Sequence, residues 1–208
     1  MDLSTLLAFS FTSFLLALMP GPDNLFVITQ GVISGKKASV VTTLGLTTGI
    51  IIHTSLAILG VSAIFQTSSF AFNFLKFLGV LYLFYLAYQI FKHRDENIFL
   101  NRDVKKLSLK KLYVRGFLMN VLNPKVSLFF LAFFPQFVDK SQNITIQISI
   151  LGSIFMLITV IVFSSLGILA SSITSHLEQS SKVSKIISYI TSSIFIILGL
   201  KLAFAGID

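Results

Sequence analysis

Long apolar stretches alternate with short polar breaks along almost the whole chain: Leu3 to Ile33, Ala38 to Phe65, Phe70 to Phe91, Gly116 to Val138, Ile144 to Ile173 and Ile186 to Ala205. A membrane-spanning helix takes roughly 20 mostly apolar residues, so the pattern predicts an all-α integral membrane protein of about six transmembrane helices. The stretch from Leu3 follows no basic n-region and ends in no A-x-A-like site, so it is expected to be a retained helix and not a cleaved signal. With about six spans, no length is left for a soluble domain, and residues 1–208 are expected to form a single membrane domain.

Two of the stretches are interrupted. The first contains Pro20-Gly21-Pro22 and the fourth Asn123-Pro124, and together they hold all four prolines of the chain. Asn123-Pro124 reads as a helix N-cap followed by proline at the first helical position, and Gly21-Pro22 as the same device with a weaker cap. Pro22 lies about a dozen residues before the turn at Ser34, and Pro124 about as many after the end of the basic linker that precedes its own stretch. At 1.5 Å per residue both fall roughly 18 Å deep, near the middle of a core of about 30 Å.

Charge then sets the topology. Lys92, Arg94, Arg102, Lys105, Lys106, Lys110, Lys111 and Arg115 crowd into the linker between the third and fourth stretches. The positive-inside rule makes that linker cytoplasmic, with Lys36, Lys37, Lys182 and Lys185 on the same side and both termini outside. The formal charge of +8 is therefore topological, a solvated basic face that meets membrane lipid, and no nucleic-acid partner is expected. Residues 1–91 and 116–208 become two three-helix repeats joined by the basic linker 92–115. Three is odd, so the second repeat enters the membrane the other way up, as an inverted repeat.

Composition adds exclusions. The chain has no cysteine, so it has no disulfide or thiolate metal site, and 12% charged residues against 54% hydrophobic ones place it far from the soluble balance. No G-x-x-x-x-G-K-[ST] loop is present to bind a nucleotide, and no G-x-S-x-G elbow to build a hydrolase. The chain is expected to be no enzyme, with no catalytic residue, no cofactor and no metal site.

Candidate chemistry collects at the breaks. Asp23 and Lys125 each follow a repeat proline and are ionisable groups deep in the membrane, at about 2.5 to 3.5 kcal/mol each on insertion scales. The apolar residues of each span, at roughly −0.3 to −0.6 kcal/mol apiece, offset that, but both charges need partners. Either they pair with each other, or Lys125 and the half-helix N–H groups hold a substrate carboxylate while Asp23 meets an ammonium group or a proton. The candidate substrate-binding residues are Gly21, Pro22, Asp23, Asn24, Asn123, Pro124 and Lys125. Gly45, Gly49 and His53 recur every four residues on one stripe of the second span, a face suited to close helix packing. His53 is expected to face protein, hydrogen-bonded to a neighbour, and stands with Asp23 as a candidate for proton coupling. Asn24, Asn73 and Asn120 read as interhelical hydrogen-bond partners, and Lys76 as a residue that snorkels.

These residues carry a resemblance. The run from Asn123 to Phe130, followed by Phe134-Pro135-Gln136-Phe137-Val138, resembles the second-half signature of the LysE family of amino-acid exporters, in its RhtB branch. Pro20-Gly21-Pro22 with Gly31, Gly35, Gly45, Gly49 and Gly60 resembles the first-half signature, and the run from Lys76 to Leu83 the third helix. The last helix keeps Gly199-Leu200-Lys201-Leu202, with Ser192 where relatives often have glycine. The resemblance implies six helices in the bacterial cytoplasmic membrane and export of amino acids driven by the proton gradient. The substrate is then a small amino acid or a related zwitterionic metabolite, and a homodimer is the expected assembly. The competing readings are a metal-ion exporter, which would want more clustered carboxylates and histidines, a passive channel of similar architecture and an intramembrane hydrolase.

Overall fold

The computed structural model describes residues 1–19, 21–67, 107–139 and 141–173, together with separate positions between 77 and 92 and between 189 and 200. The described elements are helical throughout. The first helix, α1 (Leu3–Leu18), starts at Asp2, whose carboxylate accepts from the Thr5 N–H at 2.9 Å. Beyond the break, α2 (Pro22–Ser34) begins with proline in its first turn and leaves at 59° to α1. Gly35, at φ +86°, closes α2 by donating its N–H to the Gly31 carbonyl at 3.1 Å. That left-handed conformation lets the chain reverse within one residue into α3 (Lys36–Thr67).

The second interrupted stretch repeats the design. Helix α4 (Leu109–Val121) ends at the break, and α5 (Pro124–Leu128) restarts after it, with a bend of 44° between α4 and the run from Pro124 to Phe137. A π-helical turn, Phe129–Phe133, and a 3-10 turn, Phe134–Phe137, follow α5, before α6 (Ile144–Ile173). Two features depart from the sequence expectation. Helix α4 begins seven residues before Gly116, inside the basic linker, because Leu112 and Gly116 bury at helical spacing while Lys110, Lys111 and Arg115 keep to the exposed side. The helix after the second break does not stay α: Pro135 has no N–H to offer the Leu131 carbonyl, and the backbone widens before it and tightens after it.

The two bent pairs run antiparallel along their length. The amino group of Met1 donates to Gln142 at 3.1 Å, Phe9 packs on Phe134 and Phe137, Asp23 meets Asn123, and Arg115 lies over the Phe26 ring at 5.2 Å. Residue numbers rise on one pair as they fall on the other. Between the breaks and the Met1 end the interior is aromatic. Phe9 packs edge-on to Phe134 at 5.0 Å, Phe130 stacks on Phe134 at 4.1 Å, and Phe155 of α6 closes on Phe129 at 5.1 Å. Such ring pairs add about 0.5–1.5 kcal/mol each beyond the area they bury.

The glycine stripe of α3 faces α4, as its spacing predicts. A Cβ on Gly45 would run into the Tyr113 backbone, and one on Gly49 would lie 2.6 Å from Asn120 Oδ1. In return Gly116 rests on the Thr42 carbonyl. Helices α3 and α6 are each long and apolar enough to cross a membrane, over Lys36–Gly60 and Ile144–Ser172, and each bent pair makes a further candidate if counted as one span. The expected spans 70–91 and 186–205 fall largely outside the described residues, as do Pro20, Asn73, Lys76, Lys140, Lys182, Lys185 and linker residues 93–106. Positions described within those two spans are helical, and Phe91 and Tyr189 bring them together with ring centroids 5.8 Å apart.

Candidate functional site

An interrupted helix exposes backbone at the break: carbonyls at the end of the first half and N–H groups at the start of the second. Here the carbonyls of α1 are met by side chains. Lys125, from the opposite break, donates its ammonium to the Leu16 and Met19 carbonyls, both at 3.2 Å, and Asn24 donates Nδ2 to the Ala17 carbonyl at 2.6 Å. The sequence sets Lys125 against the positive end of its own half-helix. The fold instead delivers its charge to the negative C-terminal end of α1, where a cation is favoured. A Cβ on Gly21 would lie in ordinary contact with Lys125 Nζ, at 3.4 Å.

The second break is closed in a parallel way. His53, on α3, bonds through Nε2 to the Asn120 carbonyl near the end of α4 at 3.0 Å. A carbonyl can only accept, so this nitrogen carries the hydrogen. His53 thus serves the second break as Lys125 serves the first, and its ring lies 5.6 Å from that of Phe130.

The N–H groups at the start of α5 are taken by their own cap. Asn123 Oδ1 accepts from the Lys125 N–H at 2.9 Å, and the Asn123 carbonyl accepts from Val126 and Ser127 at 3.1 and 3.0 Å. The same Asn123 side chain turns its Nδ2 to Asp23 Oδ2 at 2.8 Å, which ties the two breaks together. Asp23 and Lys125 therefore do not bond to each other; among the described residues Asp23 is held by Asn123, and Lys125 by carbonyls.

All the groups involved are buried: Asp23 and Asn120 are each 2% exposed and Lys125 7%. Asp23 Oδ1, Asn24 Oδ1 and Asn120 Oδ1 have no hydrogen-bond partner among the described residues. Asn120, Lys125 and His53 all contribute to the electrostatic surroundings of Asp23. Sequence reasoning gave Asn120 only the role of an interhelical hydrogen-bond partner. Its position one turn before Asn123, polar in the apolar run from Gly116 to Leu122, is the signal that marks it as a neighbour of the break. Pro22 and Pro124 hold their expected places in the first turns of α2 and α5.

The family described as LysE type translocator matches residues 14–206, a span that takes in both breaks. The chain belongs to the LysE family. Among the relatives of this LysE-family chain is a homoserine/homoserine lactone efflux protein of Salmonella typhimurium, 31% identical over 198 residues that cover 95% of each chain. A Bacillus subtilis protein named only as an uncharacterized membrane protein is 31% identical, over 95% of this chain and 97% of its own. One of Vibrio cholerae, named the same way, is 29% identical over 99% of both. No solved structure matches the chain. The LysE-family membership and the relatives' names agree with the apolar helices in making this a multi-pass membrane protein and a translocator.

Proposed function

We propose that the chain exports amino acids or related small zwitterionic metabolites from the cytoplasm in exchange for protons. The observation that carries this reading is Asp23: a buried carboxylate at the junction of two broken helices, with one oxygen held by Asn123 and the other without a partner among the described residues. A buried carboxylate needs a proton or a cation, and only one can occupy the same oxygen. If a substrate ammonium leaves with Asp23 facing outward and a proton takes its place, the site returns loaded with the proton. Outward movement of substrate is then coupled to inward movement of protons. Relatives named for efflux of homoserine and its lactone support the substrate class, and ring closure of homoserine removes the carboxylate while it keeps the amino group.

In this reading residues 1–91 and 116–208 are inverted repeats that rock about the joined breaks. The basic linker faces the cytoplasm and both termini face outward across the bacterial cytoplasmic membrane. Metal-ion export and passive conduction lack a comparable supporting observation. Cells loaded with a panel of amino acids test the proposal. The protein should speed efflux of at least one class against its gradient, and a protonophore should abolish the effect. Accelerated leak that only follows the gradient, unchanged by the protonophore, would make the protein a channel.

A further inference from the structure

The side of α4 opposite the buried Gly116 changes character along its length. Val114, Leu118 and Leu122 follow one another at steps of four residues and form an apolar stripe down that side. Lys110, Lys111 and Arg115 crowd the upper end of the stripe, with Lys110 and Arg115 on its two flanks. All six residues are exposed, and together they line an open groove of about 710 Å³. The carboxylates among the described residues, Asp2, Asp23 and Asp139, are all held elsewhere. Arg115 lies over the Phe26 ring of α2 and keeps an exposed guanidinium, so the groove has three cations at one end and no described anion to meet them.

We propose that this groove holds one anionic phospholipid of the cytoplasmic leaflet, its phosphate among Lys110, Lys111 and Arg115 and an acyl chain along Val114, Leu118 and Leu122. The proposal rests on the membrane placement given above and on no step of transport. Counted along the helix from the break at Asn123, Arg115 stands about 12 Å away and Lys111 about 18 Å, against about 15 Å for half of a hydrocarbon core. With the break near the midplane, the cations straddle the level of the lipid phosphates and the stripe below them lies among acyl chains. A lipid with a net negative head satisfies both ends of the groove at once. The other occupant that an apolar membrane face invites is a second copy of this chain. A two-fold axis along the membrane normal brings residues of equal depth together, so a symmetric dimer here would set the three cations against their own copies. A zwitterionic lipid supplies the acyl chain but no net charge.

The test titrates the intact protein in detergent with phosphatidylglycerol, or with phosphatidylcholine of the same acyl chains, and reads the first bound lipid by native mass spectrometry. Phosphatidylglycerol should bind at least about tenfold more tightly than phosphatidylcholine. The double variant Lys110→Gln/Lys111→Gln should lose about tenfold or more of that affinity, from two lysines removed beside the phosphate. Lys36→Gln/Lys37→Gln removes the same charge from an exposed pair that does not line the groove, and should bind as the unaltered protein does. Glycerol phosphate, the head without the chains, should not displace the lipid at equal concentration. Equal affinity for the two lipids would overturn the proposal. So would an equal loss in the two double variants, which would make the attraction a property of net charge and not of the groove. Displacement by glycerol phosphate would overturn it as well, because the stripe would then hold no chain. Each result is independent of whether the protein moves an amino acid, so the export reading stands or falls separately.

Discussion

Lys125 is the residue whose role changes most between sequence and structure. As a lysine deep in a membrane helix it invites a substrate role, yet its ammonium sits on the two α1 carbonyls that the break leaves open. Lys125→Met keeps the length of the side chain and removes the donors. Two buried carbonyls then lack a partner, and thermal unfolding in detergent should show a loss of about 2 kcal/mol or more. Lys125→Arg, which keeps a charged donor, should lose less. If methionine were as stable as lysine, the ammonium would not be holding α1, and its charge would be free for a ligand. Asn123 shows how one side chain joins two elements: its oxygen caps α5 and its nitrogen holds Asp23.

At the scale of elements, the contact between α3 and α4 fixes the second break, because His53 reaches the Asn120 carbonyl only if the two backbones lie close. Gly49 and Gly116 permit that approach. Gly49→Ala or Gly116→Ala would place a methyl 2.6 Å from Asn120 Oδ1 or the Thr42 carbonyl, and should cost about 1–3 kcal/mol in the same unfolding measurement. Gly60→Ala, on the same helix with no described atom within 4 Å, should be neutral or gain up to about 1 kcal/mol from helix propensity. The helices themselves were legible in the sequence, because apolar length and proline position are local properties. Helix α6 occupies the predicted Ile144 to Ile173, and α2 begins at the predicted proline. The early start of α4 and the π turn after α5 were not legible. The first depends on Leu112 finding a buried place on other helices, and the second on how the chain absorbs the missing N–H of Pro135. The breaks and their ionisable residues could be named from the sequence, but their partners could not. Which carbonyl Lys125 meets is decided by the fold that brings residue 125 beside residue 16.

For the whole molecule, the antiparallel bent pairs put both breaks at one place, with a cluster of phenylalanines filling the interior toward the Met1 end. Alternating access would have to loosen that aromatic packing on one side while the hydrogen bonds at the breaks hold the centre. The account depends on Asp23 exchanging a proton for a substrate amino group, and proton movement can be followed directly. In vesicles loaded with a transported amino acid and a pH-sensitive dye, outward flow of substrate should drive protons inward through the unaltered protein. Asp23→Asn keeps the size and the Asn123 contact but removes the charge, and it should abolish that proton movement. Substrate-driven proton flow through Asp23→Asn equal to that of the unaltered protein would contradict the account.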